Sequence, residues 1–257
     1  MNNLPIGIID SGIGGISVLL KLDEILSANT FIYCGDNDNA PYGQKGKREL
    51  LSRALNCTLQ MNSYNVENLV VACNTLSVNI LPELEYYSRK KCFGVFPPVE
   101  KNLLFNKTVL FCTPKTALNY QNVKNLYVVS LPCLAKEIEN KILSLERINL
   151  DEQLSIAFDH PYTYKFKSKT EMYSTIRESV LVLGCTHYVL IQNKIFNHFQ
   201  PQKILSGNDG LIVAMKERVE SLKSLDNIKK NEILFLGTSA EYNKKIFENL
   251  RKKIKKN

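Results

Sequence analysis

The chain contains no apolar run longer than about six residues, far short of the roughly 20 that a membrane-spanning helix requires. Its opening residues, Met1 to Ile9, have neither the basic start nor the extended apolar core of a secretory leader. No two cysteines stand in a C-x-x-C spacing. The seven, at positions 34, 57, 73, 92, 112, 133 and 185, are odd in number and widely spread. That distribution argues against a zinc knuckle and against a disulfide framework. Cys34 and Cys112 lie inside strand-like runs and read as small buried hydrophobes. Low-complexity segments are also lacking. These absences together predict a cytoplasmic protein with no membrane partner.

Dense basic patches are scarce too, although the net charge is +8. The one cluster, Arg251-Lys252-Lys253-Ile254-Lys255-Lys256, closes a predicted helix, where cations meet the negative end of the helix dipole. A nucleic-acid partner is therefore not expected, and the positive field can instead draw anionic substrates toward the protein. With 257 residues and 44% apolar content, there is enough chain for one large or two modest α/β domains with substantial cores.

What is present is a regular alternation of short apolar strands and helical stretches. Strands are predicted over Ile6–Ile9, Phe31–Cys34, Leu69–Ala72, Phe93–Phe96, Thr108–Cys112, Leu126–Leu131, Leu181–Gly184, Ile204–Gly207 and Glu232–Leu236. Helices are predicted over Ile16–Leu26, Lys47–Ser63, Ser77–Arg89, Thr116–Gln121, Leu134–Leu145, 171–178, Tyr188–Asn197, Asp209–Ser221 and Ala240–Lys252. This alternation implies parallel sheets joined by right-handed helical crossovers. Pro97-Pro98 can continue neither a ladder nor a helix interior and marks a crossover between domains. The expected division is 1–97 plus 208–257 for the first domain and 98–207 for the second. Residues 149–168 show the least pattern.

Two stretches stand out. Leu181-Val182-Leu183-Gly184-Cys185-Thr186-His187 is an apolar strand that ends in reactive side chains, and Leu69-Val70-Val71-Ala72-Cys73-Asn74-Thr75 echoes it. Residues just past the carboxyl end of a parallel strand face the ligand crevice. Two cysteines in matching frames suggest a site built by two similar halves facing each other. A thiol acts as base or nucleophile only as the thiolate, which a following helix start favours. A disulfide is disfavoured by the expected compartment, and two cysteines with His187 make a poor tetrahedral zinc set, so no metal is expected. A Cys185–His187 nucleophile leaves Cys73 without a role. Acid/base work on opposite faces of one carbon uses both thiols.

Asp10-Ser11-Gly12 ends the first strand, where Asp10 can orient or deprotonate Cys73, bind an ammonium group, or cap a helix. Gly12-Ile13-Gly14-Gly15 with Asp36 partly imitates a dinucleotide fingerprint, but Ser17 stands where its third glycine belongs. Ser11, Asn74, Thr75 and Thr186 offer donors suited to carboxylates. His187 is one of only three histidines and adjoins Cys185.

Ile6 to Gly15, Pro41-Tyr42-Gly43, Ala72 to Thr75 and Leu183 to Tyr188, in that order, resemble the glutamate racemase family of the aspartate/glutamate racemase superfamily. The resemblance implies two pseudo-symmetric α/β domains, each a mostly parallel sheet flanked by helices, with the active site in the cleft between them. It implies Cys73 and Cys185 as the paired acid/base residues, assisted by Asp10 and His187. Ser11, Pro41, Tyr42, Gly43, Asn74, Thr75, Thr113, Thr116, Glu139 and Thr186 would hold the substrate. No cofactor, a glutamate substrate, a role in supplying D-glutamate for peptidoglycan, and a homodimer are further implications. The chain departs from the family pattern at Gly94–Glu100, Leu205-Ser206-Gly207 and Pro161–Lys169. Racemisation of aspartate or a hydantoin, or a catalytically silent amino-acid-binding protein, are the competing readings.

Overall fold

In the computed structural model the described residues are 4–26, 30–100, 107–144, 147–220 and 231–254. Leu145, Ser221 and the last lysines of the basic tail, which the sequence places in helices or at a helix end, lie outside them. The architecture is α/β, with two parallel sheets flanked by helices.

The first sheet has five strands. They are β1 (Ile6–Asp10), β2 (Thr30–Gly35), β3 (Asn68–Val71), β4 (Lys91–Gly94) and β9 (Glu232–Leu236), in the order β4-β3-β1-β2-β9. The second has β5 (Thr108–Cys112), β6 (Leu126–Ser130), β7 (Val180–Gly184) and β8 (Lys203–Ser206), in the order β6-β5-β7-β8. Read from the other edge, the second order repeats β4-β3-β1-β2 strand for strand, and β9 is the one addition. The central strands are buried at every position, β1 as IGIID and β7 as VLVLG. This is what parallel sheets covered on both faces require, and it explains why these strands read as continuous apolar runs.

Side-chain alternation divides the core. Ile6, Ile8, Phe31, Tyr33 and Val70 face one cluster shared with Val109, Phe111, Leu181 and Leu183 of the second sheet. Ile9, Ile32, Leu69 and Val71 point to the opposite face, beneath α2 (Lys47–Leu59) and α3 (Asn74–Ser88). Cys34 and Cys112 are buried within strands, whereas Cys133 is exposed.

Both sheets change winding direction at their centre. The chain passes from β1 to β2 on one side and returns to β3 on the other; β5, β6 and β7 do the same. Such a switch leaves a crevice beyond the carboxyl ends of the two central strands, because the following loops diverge. Asp10 and the Ala72-Cys73 step occupy the crevice of the first sheet; Cys112-Thr113 and Gly184-Cys185 occupy that of the second.

Several boundaries differ from those expected. The helix after Cys73 begins at Asn74, three residues early, and tolerates Pro82. The helix after Thr113 is α4 (Pro114–Ala117), because Pro114 suits a first helical position where its missing N–H costs nothing. The helix expected from Tyr188 is two, α8 (Thr186–Leu190) and α9 (Gln192–Phe199), separated at Ile191. The stretch from 149 contains α6 (Leu150–Phe158), capped by the Asn149 side chain, which accepts from the Glu152 N–H at 3.2 Å. Its stripe is only Leu150, Leu154 and Ala157, which is why periodicity alone left it unread. The remaining helices are α1 (Ile16–Ile25), α5 (Leu134–Lys141), α7 (Lys169–Arg177), α10 (Asn208–Glu220) and α11 (Ala240–Ile254).

Candidate active site

Cys73 and Cys185 occupy equivalent places. Each follows its strand in extended backbone and is the N-cap residue of the next helix, α3 and α8 respectively. Both are buried, 5% and 7% exposed, and both line one narrow cavity. Its other walls are Ser11, Pro41, Tyr42, Gly43, Asn74, Thr75, Thr113, Ala135, Thr186 and His187. The cavity has room for about one water molecule. Of the residues singled out in the sequence, only Asp10, Thr116 and Glu139 stand behind this wall. Ala135, at the start of α5, lines it without having been anticipated; a small apolar residue carries no signal of a binding role.

The threonines form one cluster across the two sheets. Thr75 Oγ1 lies 3.0 Å from Thr113 Oγ1 and 3.4 Å from Thr116 Oγ1, and Thr113 donates to Thr116 at 3.1 Å. Thr116 thus supports the other two from behind. Gly43 packs on Thr113 so closely that an added Cβ would lie 2.6 Å from the threonine Cβ, and Lys115 N–H donates to the Gly43 carbonyl at 2.8 Å. Tyr42 contributes its ring to the cavity, while its hydroxyl donates to Asp36 at 2.5 Å. Burial, then that hydrogen bond, raises the Tyr42 pKa well above the usual phenol value, so the hydroxyl stays protonated. Asn74 turns its amide to the Val95 carbonyl at 3.1 Å, tying α3 to the crossover segment.

The two thiols have different neighbours. Cys73 Sγ lies 3.9 Å from Ser11 Oγ. Burial pushes its titration up, the Asp10 charge adds to the effect, and it therefore rests as a neutral thiol. Asp10 is buried behind it, one carboxylate oxygen accepting from Gly12 N–H at 2.9 Å and Gly15 N–H at 3.0 Å. Its other oxygen has no hydrogen-bond partner among the described residues. Burial raises Asp10, opposed by His187 and by the two amides.

Cys185 Sγ lies 3.8 Å from His187 Nδ1, and His187 Nε2 lies 2.6 Å from Glu139 Oε1. Burial alone would lower His187, but its hydrogen bonds to Cys185 and Glu139 outweigh it and hold the imidazole well above the ordinary histidine range. Glu139, which the resemblance implies on the substrate side, does not line this cavity in the structure, and its carboxylate meets His187 behind it. Nothing in its local sequence distinguishes these two placements.

The glycines of the first turn owe their place to this apparatus. Cβ atoms added at Gly12 and Gly14 would run into Glu139 and His187, and one at Gly15 would lie 2.7 Å from the Asp10 Cβ. The glycine-rich turn lets the first sheet's loop close onto Glu139 and His187 from the second, and the cradle that a dinucleotide phosphate would need is filled by side chains. Among the described residues, no group of three His, Cys, Asp or Glu is arranged to hold a metal ion. No helix among them is long and apolar enough to cross a membrane.

Two parallel sheets meeting at their switch points, each bringing a cysteine thiol to the wall of one shared cavity, define an α/β protein with a single site built from both sheets. No protein-family profile matches the chain. A glutamate racemase of Clostridium perfringens is 32% identical over 99% of this chain and 97% of its own length. One of Clostridium acetobutylicum is 30% identical over 92% of this chain and 97% of its own. The solved glutamate racemase of Francisella tularensis, in complex with D-glutamate, matches with a TM-score of 0.70 at 21% identity, covering 97% of this chain and 95% of that one. At that identity the likeness is one of fold. The chain belongs to the glutamate racemase family, a family of isomerases.

Proposed function

We propose that this protein interconverts L- and D-glutamate without a cofactor, using Cys73 and Cys185 as paired acid and base, and supplies D-glutamate for peptidoglycan. The observation that carries the reading is that two thiols in equivalent strand-end positions face the same cavity from different sheets.

In one direction, Cys185 as thiolate takes the α-proton, and its S–H forms as the Cα–H bond breaks. The electron pair passes into the substrate carboxylate. Cys73 then delivers its thiol proton to the opposite face of Cα and is left as the thiolate. Inversion results, and the reverse sequence serves the other enantiomer. His187, held by Glu139, stabilises the Cys185 thiolate; the Asp10 charge favours the protonated form of Cys73. The α-proton is very weakly acidic, so the carbanion-like state needs donors already aimed at its carboxylate. Ser11, Asn74, Thr75, Thr113 and Thr186 supply such groups around the cavity. A cavity that holds about one water must open to admit glutamate and close over it, which dries the reacting groups.

The likeness to relatives named for glutamate, one with D-glutamate bound, supports glutamate over aspartate. Seven free cysteines fit a reducing, cytoplasmic setting. The test is proton exchange at Cα. The protein is incubated in deuterium oxide with L-glutamate, D-glutamate or L-aspartate and no cofactor, the α-proton signal being followed by NMR and chirality by circular dichroism. Exchange with inversion on glutamate is the expected result. Inversion on aspartate alone would keep the mechanism and overturn the substrate; no exchange on any of them would overturn the reading.

A further inference from the structure

Glu139 belongs to α5, beside the second sheet, yet its carboxylate is held largely from the first. Besides His187, its neighbours are Ile13 N–H, which donates to Oε1 at 2.8 Å, and Asn37 Nδ2, 3.4 Å from Oε2. Asn37 follows β2. Its own carbonyl oxygen accepts from Asn243 Nδ2 at 2.8 Å, and Asn243 is a completely buried residue of α11. The adjacent Tyr242 donates its hydroxyl to the Glu139 main-chain carbonyl at 3.4 Å. The C-terminal helix thus reaches α5 at two points, one direct and one through Asn37.

The chemistry fixes the direction of this chain of contacts. An ionised carboxylate only accepts, so Asn37 must present its NH2 group to Glu139 and turn its oxygen away. That oxygen, on a half-buried side chain, takes its donor from the Asn243 amide. Without Asn243, the Asn37 amide loses what keeps its donor end on Glu139. A flipped amide would set oxygen against oxygen and push Glu139 off His187.

We propose that Asn37, Asn243 and Tyr242 are positioning residues that clasp the C-terminal helix to Glu139, and through it hold His187 against Cys185. Their part in turnover rests on the racemase reading above; the clasp itself is testable without turnover. Only three histidines are present, so the His187 ring is readily followed by NMR. The Nε2 proton, in a 2.6 Å contact with Glu139, will resonate far downfield and exchange slowly with water. Asn37→Ala and Asn243→Ala will each shift it upfield and speed its exchange, as Glu139→Gln does outright.

Turnover in Asn37→Ala will fall about tenfold, the scale of one lost hydrogen bond to a charged acceptor, with little change in KM. In a Glu139→Gln background, Asn37→Ala will cost nothing further. Should buried Asn243 not tolerate alanine, Tyr242→Phe removes one hydroxyl from a partly exposed residue and will shift the same resonance to a smaller extent. A His187 proton unchanged in these variants overturns the clasp, and so do losses from Asn37→Ala and Glu139→Gln that multiply. A wild-type protein that does not racemise glutamate overturns the earlier reading instead and leaves the resonance to decide the clasp.

Discussion

Gly14→Ala tests whether the position of His187 matters to about an ångström. The added Cβ would lie 2.7 Å from His187 Cε1 and from Thr186 Oγ1, and closer still to Nδ1. Carbon–carbon contacts relax near 3.5–4.0 Å, so the ring must retreat by about 1 Å. The backbone at Gly14 is not in the left-handed region, so the substitution acts through this contact and not through strain. Retreat lengthens either the 3.8 Å approach to Cys185 or the 2.6 Å approach to Glu139. Misplacement of that size costs about a hundredfold in turnover, or about 2.7 kcal/mol of barrier. Overpacking costs a further ~1–3 kcal/mol of folding stability. The assay is racemisation followed by circular dichroism, with Tm measured in parallel. Gly210→Ala is the matched control. It lies in α10 with nothing within 4 Å of an added Cβ, so turnover is unchanged and the helix gains about 0.5–1 kcal/mol. A Gly14→Ala protein with turnover within threefold of wild type would refute the reasoning.

Cys73→Ser and Cys185→Ser will each lower racemisation by about a thousandfold, because a serine hydroxyl is far too weak an acid to replace either thiol; racemisation kept in either variant would break the two-thiol scheme. Glu139→Gln will lower the pH at which His187 loses its proton, read from the ring resonances. His187 is held well above its unfolded value, so the stability this gives is fully present below about pH 6.5 and lost as pH rises through its folded value. The gap in urea stability between wild type and Glu139→Gln is therefore widest near pH 6 and narrows in alkali; a pH-independent gap contradicts the assignment. Thr75→Val keeps the shape but removes one hydroxyl from the three-threonine cluster, leaving Thr113 and Thr116 short of a partner. It will cost about 1–2 kcal/mol in stability and raise KM for glutamate, and unaltered kinetics would separate the cluster from substrate binding.

The local sequence determined the class of fold and which strand-end residues line the shared cavity. Strands such as Val180–Gly184 are buried on both faces, so they had to be written as apolar runs, and the residues after them had to be those at the crevice. That made Cys73, Cys185 and their neighbours legible, since each motif is contiguous. Helix ends were less legible because they depend on neighbours: α6 rests on a cap and three apolar residues, and the break at Ile191 has no local breaker residue. What only the tertiary structure decided is the pairing of groups far apart in the chain. Glu139 meets His187 because α5 is carried across to the turn at Gly12–Gly14, and the same carboxylate was as compatible with substrate from sequence alone. Asn37 and Asn243 carry no motif, and nothing in one chain marks an amide as the partner of another two hundred residues away. The sheets set those distances, because rigid strands with a fixed order bring loop ends together that no short-range pattern connects.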